Sequence, residues 1–200
     1  MNNKILGSLA LAGAPFFLLS GYLQPYCSFL HEQQFYGAWG IVYLTGWMCS
    51  IRGLQRLQAT GSGKWGRGLL WVLLGSLGLA TLSNAVQLFD PGNRSLLFIV
   101  LDAFWPVSNL LMGAAAITVA VAGRLNGWRR FVPLLAGAWL PVLVVCAAVF
   151  GRTGVTGTIA GVYSAIAWSV LALMIRSTPE AHRVVYVGRP APATEAVPVA

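Results

Sequence analysis

Acidic groups are scarce in this chain: it holds 5 Asp and Glu in 200 residues, and charged residues of both signs make up only 9% of it. Soluble domains carry roughly 25%. So few charges could not cover the surface of a soluble fold with this much apolar content. Histidine is limited to 2 residues and cysteine to 3. His31 and His182 are expected on opposite sides of a membrane, which excludes a paired-His motif on one face. Cys27, Cys49 and Cys146 fall in no CxxC or metal-ligand spacing. GxSxG, HExxH and a phosphate-cradling glycine loop are missing as well. The sequence therefore predicts no catalytic residue set, no cofactor and no metal centre.

What it has instead is apolar length. Hydrophobic residues make up 57% of the chain, and the mean hydropathy is +0.71. Six apolar runs follow one another: Ile5 to Leu23, Phe35 to Ile51, Gly68 to Phe89, Leu96 to Ala122, Phe131 to Phe150 and Val155 to Ile175. At about 1.5 Å of helical rise per residue they measure roughly 25 to 40 Å, against a hydrocarbon core of about 30 Å. Lipid offers backbone polar groups no partner, so each run is expected to be a helix, and none shows the alternation of a barrel strand. The predicted fold class is all-α: an integral membrane protein, a bundle of about six transmembrane helices over residues 1–178. The first run is read as a retained span, because it is longer than a signal core and no small-x-small site follows at Tyr22-Leu23-Gln24-Pro25. Residues 179–200, rich in Pro and Ala without a period, predict a disordered cytoplasmic tail.

Orientation follows from the basic residues. Of the 13 Lys and Arg, all but Arg94 and Arg152 fall in segments that share one side of the membrane if the amino terminus is inside. Those segments carry Lys4, then Arg52, Arg56, Lys64 and Arg67, then Arg124, Arg129 and Arg130, then Arg176, Arg183 and Arg189. The positive-inside rule then predicts both termini in the cytoplasm, in a plasma membrane of the bacterial inner-membrane type. The net charge of +8 is explained by anionic lipids at the cytoplasmic face rather than by nucleic acid. Tyr22, Tyr26 and Tyr36 mark the outer boundary, and Trp65, Trp71 and Trp128 the inner one. Besides the bilayer, a homo-oligomer or another membrane protein is a candidate partner. In the sixth run Gly154, Gly157, Gly161 and Ala165 form a face free of bulk, where close backbone packing within the bundle is expected.

The polar residues inside the runs cluster in one place. Asn84, Gln87 and Asp90 share a helix face at the outer end of the third run, and Asp102, Ser108 and Asn109 follow in the fourth. A hairpin folded about Asn93 sets Asn84 opposite Asp102 and Leu77 opposite Asn109, with the first pair roughly 10 Å below the loop tip. Asp102 has two explanations. It is the N-cap of a shortened fourth helix, started where Pro106 removes the bond to the carbonyl of residue 102, or it serves a ligand, proton or ion. The candidate binding residues are accordingly Asn84, Gln87, Asp102 and Asn109, with His31 and Glu32 as contributors from the outer loop.

Three functions fit these features. A structural or accessory membrane component asks least of the sequence. A small-solute or ion transporter, or a channel-like protein, would use an outward-facing polar pocket around the four candidates. A lipid-modifying enzyme of the outer leaflet would need His31, Glu32 and Asp102 to converge. A packed outer half favours the first, a cavity reaching Asp102 the second, and His31 within hydrogen-bond reach of Asp102 the third.

Overall fold

The computed structural model describes residues 2–27 and 29–178. The expected tail, with His182, Arg183 and Arg189, lies outside the described residues. Among those described, every regular element is helical. The first rod is α1 (Asn3–Gly13) followed by α2 (Phe16–Leu23) and a 3-10 turn at Gln24–Tyr26. Then come α3 (Glu32–Arg56) and α4 (Lys64–Phe89). A broken rod follows, made of α5 (Leu96–Asp102) and α6 (Phe104–Ala122). A second broken rod, α7 (Val132–Gly137) with α8 (Trp139–Phe150), leads into α9 (Gly154–Ser177).

Among the described residues, four rods are each long and apolar enough to cross a membrane: Asn3–Tyr26, Lys64–Phe89, Leu96–Ala122 and Gly154–Ser177. The α7–α8 rod, bent by 46° at its break, makes a fifth if it is one span. With 25 residues α3 is long enough, but it is not apolar enough to stand among them. The reason is its position. It packs most extensively on α4 and α1 and also touches α2 and α9, and Tyr43, Trp47, Ile51 and Leu54 on it are buried. A helix walled by protein has little lipid to satisfy.

The core is mostly apolar, and the surface differs from that of a soluble protein. Leu97, Ile99, Leu110, Ile117 and Val121 are exposed, while Ser76, Ser108, Asn109 and Ser164 are buried. That distribution fits an apolar solvent around the bundle. Inside, several buried polar groups bond to one another. Tyr43 Oη and Ser164 Oγ are 2.9 Å apart, Ser76 Oγ and Ser108 Oγ are 2.7 Å apart, and Trp47 lies on Trp168 with ring centroids 4.5 Å apart. Where α1 crosses α3, Gly13 faces Gly46, and a Cβ added to either would come within 3 Å of the other's Cα. Only glycines allow backbones that close.

Each break sits at a proline. A proline ring takes away one helical donor and clashes with the carbonyl four residues back. Pro141 therefore disrupts the helix at Gly137, and the α7–α8 break falls at Ala138. Pro106 acts in the same way on Asp102, and the α5–α6 break falls at Ala103. Ala14 and Pro15 themselves form the α1–α2 break.

The loops sort by charge. The start of α1 meets the end of α9 through Asn3 Nδ2, which donates to the Thr178 carbonyl at 3.4 Å. The α3–α4 loop meets the α6–α7 loop through Arg124 Nη2, which donates to Ser62 Oγ at 3.5 Å. Gly53 on α3 lies against Ile175 on α9. Lys4, Arg52, Arg56, Lys64, Arg67, Arg124, Arg129, Arg130 and Arg176 thus gather at one end. At the opposite end Gln34 Nε2 donates to the Leu88 carbonyl at 3.2 Å, tying the start of α3 to the end of α4.

Candidate functional site

In the half of the bundle away from the basic end, the helices do not close on one another. A partly open cavity of about 580 Å³ lies between α2, the first half of α3, the last part of α4, the α5–α6 break and the start of α9. Asn84 and Asp102 both line it, together with Phe16, Tyr36, Trp39, Tyr43 and Trp105. No Lys, Arg or His is among the lining residues.

Two of the proline breaks border this space. Past Pro15, α2 presents Phe16 and Phe17 to the cavity; at the break before Pro106, α5 ends on Asp102 and α6 begins with Phe104 and Trp105. Trp139, the first residue after the third break, holds two of these elements together. Its ring makes edge contacts with Phe17 at a centroid distance of 5.6 Å and with Trp105 at 5.1 Å. Its Nε1 donates to the Ala160 carbonyl at 3.1 Å, which fixes it to α9.

Asn84 is held on one side only. Its Nδ2 donates to the Ala80 carbonyl at 2.9 Å, and its Oδ1 lies directly against Gly40 of α3, where a Cβ would overlap it. Among the described residues, Oδ1 has no hydrogen-bond donor. Asp102 is more isolated. No hydrogen bond or ion pair reaches its carboxylate among the described residues. Asn84 and Asp102 share the cavity without bonding to each other.

The capping explanation of Asp102 does not hold. The fourth rod starts at Ser95, whose Oγ accepts from the Phe98 amide at 3.3 Å. Asn93 Oδ1 in turn accepts from the Ser95 amide at 2.9 Å and from its hydroxyl at 2.6 Å. Asp102 is the last residue of α5, more than a turn inside the rod, and the residue that precedes α6 is Ala103 in a helical conformation. The expected register of the hairpin is close to what is seen, since Ser76 meets Ser108.

The other candidates lie elsewhere. Asn109 is buried and donates to the Trp105 carbonyl at 2.9 Å. Gln87 is half-buried on the α3 side of α4, its Cβ near Gly37. His31 and Glu32 are exposed at the start of α3, where the His31 amide donates to Gln34 Oε1 at 3.2 Å. None of these four lines the cavity, and no hydrogen bond joins His31 to Asp102. Asp90 accepts from Asn93 Nδ2 at 2.8 Å in the turn after α4.

The glycine face of α9 needs correcting. Gly161 packs as expected, with Leu18 Cδ1 3.0 Å from the position of an added Cβ. Around Gly154 and Gly157 nothing lies within 4 Å, and both line the cavity. Small residues there leave space instead of drawing helices together. Sequence reasoning also missed Trp39, Tyr43 and Trp105 as cavity residues. Pro106, three residues beyond the α5–α6 break at Ala103, was a usable signal for where one wall parts. Comparisons of the chain with protein-family models, with curated proteins and with solved structures find no match.

Proposed function

We propose that this chain is a six-span membrane protein with both termini in the cytoplasm and an outward-opening pocket that binds a small solute, as a transporter or channel-like protein does. The observation that carries the reading is the cavity at Asp102. Its volume is within the range of small-molecule sites, roughly 300 to 1,000 Å³, and apolar walls with a few unpaired polar groups are their usual make-up. Broken helices that meet at a polar residue within the membrane are also how transporters commonly build substrate sites. An intramembrane carboxylate with no structural partner is a functional group by default. A purely accessory protein would have little use for such a pocket, and the enzyme reading lacks the convergence of His31 and Glu32 on Asp102.

The span count takes α3 and the bent α7–α8 rod as one crossing each, and the charge sorting sets the orientation. In this reading the membrane is a plasma membrane of the bacterial type. At the cytoplasmic end Arg52, Arg67 and Trp71 line a smaller recess of about 260 Å³, a suitable seat for an anionic lipid headgroup.

The test is thermal unfolding of the purified protein against a panel of small cations, anions and neutral solutes, beside a Gly157→Leu variant whose side chain intrudes into the cavity. A true ligand at 100 times its Kd adds about 2.7 kcal/mol to the stability of the native protein. It should raise the midpoint of the native protein and leave that of the variant unmoved. A panel in which no solute separates the two proteins would contradict the reading.

A further inference from the structure

Resting on the pocket reading above, we infer that the ligand is an organic cation, with an ammonium head held by Asp102 and an apolar body held by the aromatic walls. The lining brings together one carboxylate, one carboxamide oxygen without a donor, and the rings of Phe16, Tyr36, Trp39, Tyr43 and Trp105. No cationic side chain lines the cavity among the described residues, so the negative charge has no counter-ion among them. Asp102 is an exposed residue that lines the cavity, and its negative charge attracts any cation that enters beside the aromatic walls. Aromatic rings attract the same cations through their quadrupoles, and quaternary ammonium groups are the ligands that such boxes favour.

The chemistry separates this ligand from others. A metal ion takes several oxygen ligands, about 6 to 8 for calcium, and the cavity offers only Asp102 and Asn84 as side-chain carbonyl or carboxylate donors. No cluster of three His, Cys, Asp or Glu exists among the described residues. An anion would meet the Asp102 charge with no basic group to offset it. A neutral apolar molecule would fit the walls but leave the carboxylate unpaired. An ammonium head on an apolar body satisfies both parts of the lining. Asn84 Oδ1 gives a head that carries N–H groups a second acceptor. Such a head reaches the pocket either on a dissolved amine or on a choline- or ethanolamine-type lipid.

The experiment titrates acetylcholine and its uncharged carbon isostere, 3,3-dimethylbutyl acetate, into the purified protein in phosphatidylglycerol nanodiscs. Binding is read by calorimetry and by the tryptophan emission of Trp39 and Trp105. The cation should bind at least tenfold more tightly than the isostere. Asp102→Asn should abolish that preference while the unfolding midpoint stays near the native value, and Trp39→Leu should reduce it. Equal binding of the two compounds, unaffected by Asp102→Asn, would overturn the cation assignment and leave the pocket reading standing. Binding of neither compound would also overturn the assignment, and the broader panel with Gly157→Leu then judges the pocket separately. Repeating the titration in phosphatidylcholine nanodiscs identifies the source of the cation. Lost acetylcholine binding there assigns the pocket to a lipid headgroup, and unchanged binding assigns it to a dissolved amine; both results support the cationic ligand.

Discussion

Asn84 shows how one polar side chain is held between two membrane helices. Its amide donates to its own helix, and its oxygen is accommodated because α3 carries glycine at position 40. A methyl group on Gly40 would press on the carboxamide, and overpacking of this kind costs about 1 to 3 kcal/mol. Gly40→Ala should therefore lower the unfolding midpoint in detergent. In the Asn84→Ala background the same substitution should cost much less, since the clashing group is gone. Equal losses in both backgrounds would mean that the two residues do not touch. Asn84 and Asp102 were legible as candidates because an amide or carboxylate stands out in an apolar run. Trp39, Tyr43 and Trp105 were not, since aromatic residues occur throughout these runs and only the fold decides which of them turn to a cavity.

Elements carry the next level of information. Each long run was visible as a helix from hydropathy, and α3 was visible although its average is low. Its tyrosines, tryptophans and glycines suit a helix surrounded by other helices. The prolines were equally visible, but that the breaks at Pro15 and Pro106 border one space depends on how the rods lie side by side. The glycine stripe of α9 makes the same point, since a stripe of small residues looks alike whether a neighbour fills it or not. Replacing Gly161 with Leu should lower the unfolding midpoint by several degrees, because Leu18 occupies the space. Replacing Gly157 with Leu should leave the midpoint near that of the native protein, because the new side chain enters the cavity. A large loss at position 157, or none at position 161, would mean that the α2–α9 contact is wrongly placed.

At the scale of the whole molecule, charge and packing agree on one axis. The basic loops gather at one end, the cavity lies toward the other, and exposed apolar side chains cover the surface between them. The axis was legible from the order of charges, and the all-helical class from composition. The cavity was not, because space between helices is set by contacts distant in sequence. The central claim is that this cavity opens to the outside of the cell, and single cysteines test it in a protein lacking Cys27, Cys49 and Cys146. Thr158 lines the cavity and is exposed, and Gly63 lies in the basic α3–α4 loop. An impermeant thiol reagent added to intact cells should label Thr158→Cys and leave Gly63→Cys unlabelled until the membrane is opened. Labelling of Gly63→Cys from outside with protection of Thr158→Cys would contradict the account.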